Sequence, residues 1–261
     1  MNKTLKTIIS TILILVAISC FVVFELAHVR IFPSDNAYKD ALNTLVTGVI
    51  YHFAVCLAIL WFVFFVTPLP YLRFKNTTWK NLLWCLPCLM VALVNFPYSA
   101  LIKGDATVEY GNLMGLYILY IISIALLEEL VFRGILLSYF MDLFRNNKLK
   151  HFWAVLISSA IFSLFHFTNL LNGDGIVIVL QQVGYTFLIG AMFAVITLKC
   201  KNIWLAVIAH ALFDFGGLLT GTIASGDPHD GVFWILTIAC GILCAGHIVV
   251  TLINLDRKHV S

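Results

Sequence analysis

Eight apolar stretches of roughly 20 residues or more divide the sequence from end to end and constrain its fold more than any other feature. A helix that crosses the ~30 Å hydrocarbon core of a bilayer needs about 20 mostly apolar residues. The stretches are Leu5–Phe24, Leu45–Thr67, Leu82–Ile102, Leu113–Phe140, Phe152–Leu170, Ile176–Leu198, Ile203–Thr222 and Val232–Asn254. They predict an all-α fold, a polytopic membrane bundle of about eight transmembrane helices that forms a single membrane domain over residues 1–261.

The composition narrows the classes of function. Hydrophobic residues make up 61% of the chain and charged residues 11%, whereas a soluble domain is about 45–50% apolar and about 25% charged. This balance excludes a disordered chain, a nucleic-acid binder with a basic face and an ordinary cytosolic enzyme. We therefore expect the lipid bilayer as a partner of the chain, and no nucleic acid.

The basic residues of the connecting loops alternate between two sides of the predicted bundle. One side carries Lys3, Lys6, Arg73, Lys75, Lys80, Arg145, Lys148, Lys150, Lys199, Lys201, Arg257 and Lys258, and the other carries Arg30, Lys39 and Lys103. Loops rich in Lys and Arg stay in the cytoplasm, so both termini are predicted to be cytoplasmic. We expect a multi-pass protein of the cell membrane, and its short loops and small size favour a bacterial plasma membrane.

Apart from His52 and His247, which lie nearer the ends of their stretches, six acidic, basic or histidine side chains lie inside the apolar stretches, where lipid would otherwise surround them. They are Glu128, Glu129, Arg133, His166, His210 and Asp214, spread over three stretches. A charge at mid-bilayer costs at least ~2.5–3.5 kcal/mol, so four charged groups facing lipid would cost on the order of 10 kcal/mol. They must face the bundle interior or a wet cavity, which indicates a functional site. The helical rise puts Glu128 ~18 Å, His166 ~21 Å, His210 ~10 Å and Asp214 ~16 Å from the cytoplasmic ends of their stretches, compatible with one layer.

The spacing of these residues defines which of them share a helix face. Glu129 and Arg133 are four residues apart and can pair, whereas Glu128 is rotated by ~100° and can point elsewhere. His210 and Asp214 are also four residues apart, so they can fix one imidazole tautomer or offer two ligands to one metal. Water, a carboxylate base and two histidines suffice for peptide hydrolysis, with or without zinc.

Three motifs in these stretches match a known family in order. They are Glu128-Glu129-Leu130-Val131-Phe132-Arg133 for Glu-Glu-x-x-x-Arg, Phe162-Ser163-Leu164-Phe165-His166 for Phe-x-x-x-His, and His210-Ala211-Leu212-Phe213-Asp214 for His-x-x-x-Asn/Asp. Over residues 113–222, which we take as the motif-bearing core, the chain resembles the CPBP intramembrane proteases. That family includes the CAAX-processing type II prenyl endopeptidases and bacterial relatives tied to bacteriocin processing and self-immunity.

The resemblance implies an intramembrane endopeptidase that hydrolyses a peptide bond of a membrane-associated protein or peptide near the cytoplasmic face. It implies that Glu128, helped by His166, activates the hydrolytic water. It further implies that His210 and Asp214 stabilise the oxyanion of the tetrahedral intermediate, that Glu129 supports the site, and that Arg133 holds the carboxylate pair in place.

Asp214 departs from the asparagine that is common in the CAAX-processing members. An asparagine amide can donate a hydrogen bond to an oxyanion, whereas an ionised aspartate cannot. Asp214 must therefore be protonated, orient His210 or bind a metal. The family is described both as metalloproteases and as glutamate enzymes without metal. We take the metal-free mechanism as the expectation, with zinc on Glu128, His166, His210 and Asp214 as the alternative.

Other functions also fit parts of the pattern. Membrane acids and histidines form proton relays in transporters, although we find no internal symmetry of the kind that transporters carry. A non-catalytic membrane partner in bacteriocin immunity or sensor regulation is a further alternative. At the level of single residues, Glu129–Arg133 also fits a structural ion pair, and His166 a hydrogen-bonded core histidine.

Overall fold

The computed structural model describes residues 31–66, 70–72, 78–171 and 173–260, together with isolated positions among the first 20. The predicted stretch Leu5–Phe24 lies outside the continuously described residues. The helices are α1 (Ala37–Val66), α2 (Trp79–Trp84), α3 (Leu86–Val94), α4 (Tyr98–Lys103), α5 (Met114–Glu129), α6 (Leu137–Leu143), α7 (Lys150–Phe165), α8 (Ile176–Cys200), α9 (Ile203–Gly217), α10 (Leu219–Thr222) and α11 (Gly231–Val260). Strand β1 (Ala106–Val108) pairs antiparallel with β2 (Ala224–Gly226).

The predicted fold class, a polytopic helical membrane bundle, is confirmed. Six helical segments of the described chain are long and apolar enough to cross a membrane, and α9 is a shorter apolar helix. The total of eight spans and the cytoplasmic position of both termini stay predictions.

The predicted stretch Leu82–Ile102 is not one continuous helix. It contains the end of α2, all of α3 and most of α4. Pro87 lies in the first turn of α3, where its missing N–H costs nothing. Pro97 ends the helical run, because it lacks an N–H donor and restricts the residue before it. The non-helical segment between α3 and α4 brings Asn95 against α9.

A close backbone contact joins this break to α9. The Asn95 side chain donates a hydrogen bond to the Phe213 carbonyl at 2.8 Å. Gly216 packs against the same segment, and a Cβ there would lie 2.6 Å from the Asn95 carbonyl oxygen. The contact fixes the part of α9 that carries Asp214.

Helix α8 runs through the centre of the described bundle. All ten residues from Ile189 to Leu198 are buried, and the helix packs against α7, α9 and α11. Helix α5 packs between α1 and α9. The end of α5, which carries the two adjacent glutamates, therefore lies beside the histidine of α9, with α8 behind both.

A π-helical segment, Leu130–Leu136, follows directly after the two glutamates. All seven of its residues are buried, including Arg133. π-Helical turns are rare and frequently mark functional sites, because they shift the register of side chains along a helix. The predicted span Leu113–Phe140 is thus one helical segment from Gly111 to Leu143 with a change of helix type in the middle.

Candidate active site

Three carboxylates surround one imidazole where α5 meets α9. His210 Nδ1 lies 2.8 Å from Glu129 Oε1. On the other side of the ring, His210 Nε2 lies 3.3 Å from Asp214 Oδ2 and 3.6 Å from Glu128 Oε2. A carboxylate oxygen accepts hydrogen bonds, so Nδ1 donates to Glu129. The adjacent glutamates thus reach opposite nitrogens of a single ring.

Glu129 also forms a buried ion pair. Its Oε1 lies 2.9 Å from Arg133 Nη1, and the two side chains are 0% and 2% exposed. The guanidinium donates from Nη2 to the Gly190 carbonyl of α8 at 3.1 Å. A buried charge is tolerated when it is paired, although the other carboxylate oxygen of Glu129, Oε2, is buried without a hydrogen-bond partner among the described residues. Arg133 therefore ties the end of α5 to the centre of α8.

Aromatic rings pack against Arg133 and His210 in this cluster. The Arg133 guanidinium carbon lies 4.4 Å from the ring centroid of Phe162 and 5.2 Å from that of Phe193. Both distances lie within the range of cation–π attraction. The His210 ring stacks on Phe193 with centroids 4.6 Å apart. These contacts restrict the rotamers of Arg133 and His210.

Exposure separates the cluster into a buried side and an open side. Glu129 and Arg133 are excluded from solvent, whereas the Glu128 and Asp214 side chains are 13% and 15% exposed. The open side contains the Nε2 atom of His210. Glu128 and Asp214 are therefore the acids of the cluster that a molecule outside the bundle can reach.

His166 lies at the edge of the cluster. It begins the 3₁₀ segment His166–Leu170, where the predicted span Phe152–Leu170 changes from α-helix to 3₁₀-helix. His166 Nδ1 lies 3.1 Å from the Phe162 carbonyl. A carbonyl oxygen only accepts, so Nδ1 carries a proton, and in the neutral ring the lone pair is at Nε2. The centroid of the His166 ring lies 5.2 Å from that of Phe162, which in turn lies 6.1 Å from that of His210.

The structure brings five of the six predicted site residues into direct contact: Glu128, Glu129, Arg133, His210 and Asp214. His166 joins them through Phe162. The sequence did not reveal that Glu129 contacts His210 or that Phe193 stacks on that ring. The contact between Arg133 and the Gly190 carbonyl was not predicted either. A glycine in an apolar span is nevertheless a common sign of close helix packing. A Cβ at Gly190 would lie 3.0 Å from the Phe162 ring.

The described residues contain no group of three or more His, Cys, Asp or Glu side chains arranged to hold a metal ion. The donor atoms of Glu128, His210 and Asp214 instead contact one another. Zinc binding by these three residues and His166 stays a prediction.

The bundle defines a multi-pass membrane protein with a cluster of acidic side chains around a histidine in its interior. Residues 110–216 match the family model described as type II CAAX prenyl endopeptidase Rce1-like. This match confirms the resemblance to the CPBP proteases over those residues, and the matched range contains all six predicted site residues. This family supports an intramembrane endopeptidase in general. No curated protein and no solved structure matches the chain.

Proposed function

We propose that this protein is a glutamate-dependent intramembrane endopeptidase that uses water as its nucleophile. The observation that carries this proposal is the unequal environment of two adjacent carboxylates. Glu129 is excluded from solvent and paired with Arg133, whereas Glu128 reaches the open side of the cluster. A general base must contact water, so Glu128 is the base and Glu129 is a positioning residue.

The reaction starts when a water molecule binds to the Glu128 carboxylate. Glu128 removes a proton while the water oxygen attacks the carbonyl carbon of the scissile peptide bond. The carbonyl π electrons move to oxygen and form a tetrahedral oxyanion. As the oxyanion collapses, the C–N bond breaks and Glu128 returns the proton to the leaving nitrogen, so the carboxylate is regenerated.

The histidines have different tasks in this scheme. The lone pair at His166 Nε2 gives the water a second acceptor and orients it toward the carbonyl. Both sides of the His210 ring face carboxylates, so this ring suits a donor at both nitrogens. Glu129 and Arg133 hold the ring, while Asp214 orients Nε2–H toward the open side. Preorganised donors of this kind stabilise developing negative charge.

The substrate that we propose is a membrane-associated protein or peptide cleaved near the cytoplasmic face. The cytoplasmic orientation rests on the charge of the loops. The family description names CAAX prenyl endopeptidases, so a prenylated CAAX peptide is one probe. An unprenylated leader or signalling peptide of a bacterial plasma membrane is the other.

A comparison of wild-type and Glu128→Gln cells tests the proposal. We expect a peptide in membranes or medium that wild-type cells release and Glu128→Gln cells do not. With purified protein in proteoliposomes, the turnover of that peptide should fall about 10²–10⁴-fold. Glu109→Gln changes an exposed glutamate outside the cluster and serves as the matched control.

Two outcomes would overturn the proposal. One is wild-type turnover by Glu128→Gln protein in proteoliposomes. The other is the absence of any peptide difference between the two strains. If Glu128→Gln also restores the phenotype of a deletion strain, the protein acts as a non-catalytic membrane partner.

A further inference from the structure

We propose that Tyr117 is a positioning residue for the proposed hydrolysis, whose hydroxyl fixes the turn of α9 that carries Asp214. This inference rests on the proposed function, in which Asp214 orients the Nε2–H of His210. It is carried by a hydrogen bond from Tyr117 to the backbone of α9, at the residue directly after Asp214.

The hydroxyl of Tyr117 donates to a backbone carbonyl near the end of α9. It lies 2.7 Å from the Phe215 carbonyl oxygen and 3.4 Å from that of Asp214. Helix α9 ends at Gly217, and the last four carbonyls of a helix have no N–H partner within it. In the bilayer core such carbonyls have to be satisfied by the protein itself. Tyr117 is 0% exposed, so its hydroxyl meets this need inside the bundle.

The same turn of α9 is held from a second side. Asn95 Nδ2 donates to the Phe213 carbonyl at 2.8 Å. The ring of Tyr117 packs against that of Phe215, with centroids 5.6 Å apart. Side-chain donors thus bind the carbonyls directly before and directly after Asp214 in the chain. The turn cannot rotate without breaking one of these two hydrogen bonds.

The position of this turn decides where the Asp214 carboxylate lies. Asp214 Oδ2 is 3.3 Å from His210 Nε2, and the Asp214 side chain is 15% exposed. The His210 ring, one turn earlier, is held separately by Glu129 at Nδ1. Catalytic groups have to stay within about 0.5 Å of their productive geometry. Tyr117 therefore acts on Asp214 rather than on the His210 ring.

Tyr117 also links this turn to the helix that carries the general base. Tyr117 and Glu128 both lie on α5, which packs against α9. The hydrogen bond from Tyr117 therefore connects the turn of Asp214 to the base through one helix. Loss of the hydroxyl should let Asp214 move relative to Glu128.

The variant Tyr117→Phe tests the inference, because it keeps the buried ring and removes only the hydroxyl. The assay uses proteoliposomes and the peptide that wild-type protein releases and Glu128→Gln protein does not. We expect kcat to fall about 10–10²-fold, as for a slightly misplaced reacting group. KM should stay unchanged, because Tyr117 is buried away from the substrate. Tyr98→Phe removes the hydroxyl of an exposed tyrosine on α4 and is the matched control.

A spectroscopic measurement separates the positioning of Asp214 from simple helix packing. Heteronuclear NMR in micelles follows the ring nitrogens of isotope-labelled histidines, and His210→Gln identifies the Nε2 signal of His210 by its loss. Tyr117→Phe should shift this signal in the same direction as Asp214→Ala, whereas Tyr98→Phe should leave it unchanged. A packing role would lower thermal stability and leave the signal unchanged, which would overturn the inference.

The kinetic results distinguish this inference from the proposed function. If Tyr117→Phe turns over like wild type while Glu128→Gln is inactive, the inference is wrong and the proposed function stands. If wild-type protein releases no peptide, the proposed function is wrong, and the Nε2 signal of His210 alone decides whether Tyr117 positions Asp214.

Discussion

Replacing Arg133 with methionine should reveal how strongly the buried ion pair holds the bundle together. The substitution keeps most of the length of the side chain but removes both polar contacts of the guanidinium, to Glu129 and to Gly190. Breaking a buried pair typically costs about 3–5 kcal/mol, because one charge is left without compensation. His210 still donates to Glu129, so we expect the lower end of this range.

A double-mutant cycle isolates the pair from the rest of the site. Glu129→Gln removes the other charge, and the double variant Glu129→Gln/Arg133→Met leaves neither partner uncompensated. We expect a coupling free energy of about 2–3 kcal/mol, at the upper end of values for contacting residues. The free energy of unfolding is measured by denaturant titration in mixed micelles, followed by circular dichroism.

Arg145→Met is the control for this cycle, because Arg145 is an exposed arginine between α6 and α7. It should change the free energy of unfolding by less than about 0.5 kcal/mol. A similarly small effect of Arg133→Met, or additive single effects in the cycle, would refute the reasoning.

Two further variants test a helix contact beside the site and an ion pair between the end of α4 and the start of α11, each with a matched control. Gly216→Ala places a Cβ 2.6 Å from the Asn95 carbonyl oxygen and should lower the free energy of unfolding by about 1–3 kcal/mol. Gly241→Ala is the control and should be tolerated, because a Cβ at Gly241 meets no neighbouring element of the described chain within 4 Å. Equal thermal stability of the two variants would contradict the contact between Gly216 and Asn95. The Lys103 ammonium lowers the pKa of the Asp230 carboxyl, so stability from this pair is present above the ordinary aspartate pKa and is lost as pH falls below about 4. Asp230→Asn should remove that acid-side loss in thermal melts while Asp227→Asn keeps it, and an unchanged pH profile of Asp230→Asn would argue against the pair.

The parts of the fold that follow from local sequence could be predicted. The cost of charge in lipid required Glu129 and Arg133 to face inward, and their spacing on one helix predicted the pair. Pro97 explains the break after α3, although the apolar run alone predicted a continuous span.

The remaining features depend on how helices rotate against each other. Helix α8 is apolar on all sides over its buried half, so periodicity does not reveal which face meets Arg133. The contacts of Gly190 and Phe193 therefore follow only from the three-dimensional packing. The π-helical turn after Glu129 lacks a sequence signal that we recognise. It shifts the register of the residues that follow it in the helix, which 3.6-residue periodicity does not describe.

The most direct test measures turnover and the free energy of unfolding in parallel for Glu128→Gln and Glu129→Gln. It asks whether Glu128 is the general base and Glu129 a positioning residue. We expect Glu128→Gln to lower kcat by about 10²–10⁴-fold and to leave the free energy of unfolding at or above the wild-type value. Glu129→Gln should lower the free energy of unfolding, because Arg133 loses its partner. Turnover by Glu128→Gln at the wild-type rate would contradict the account.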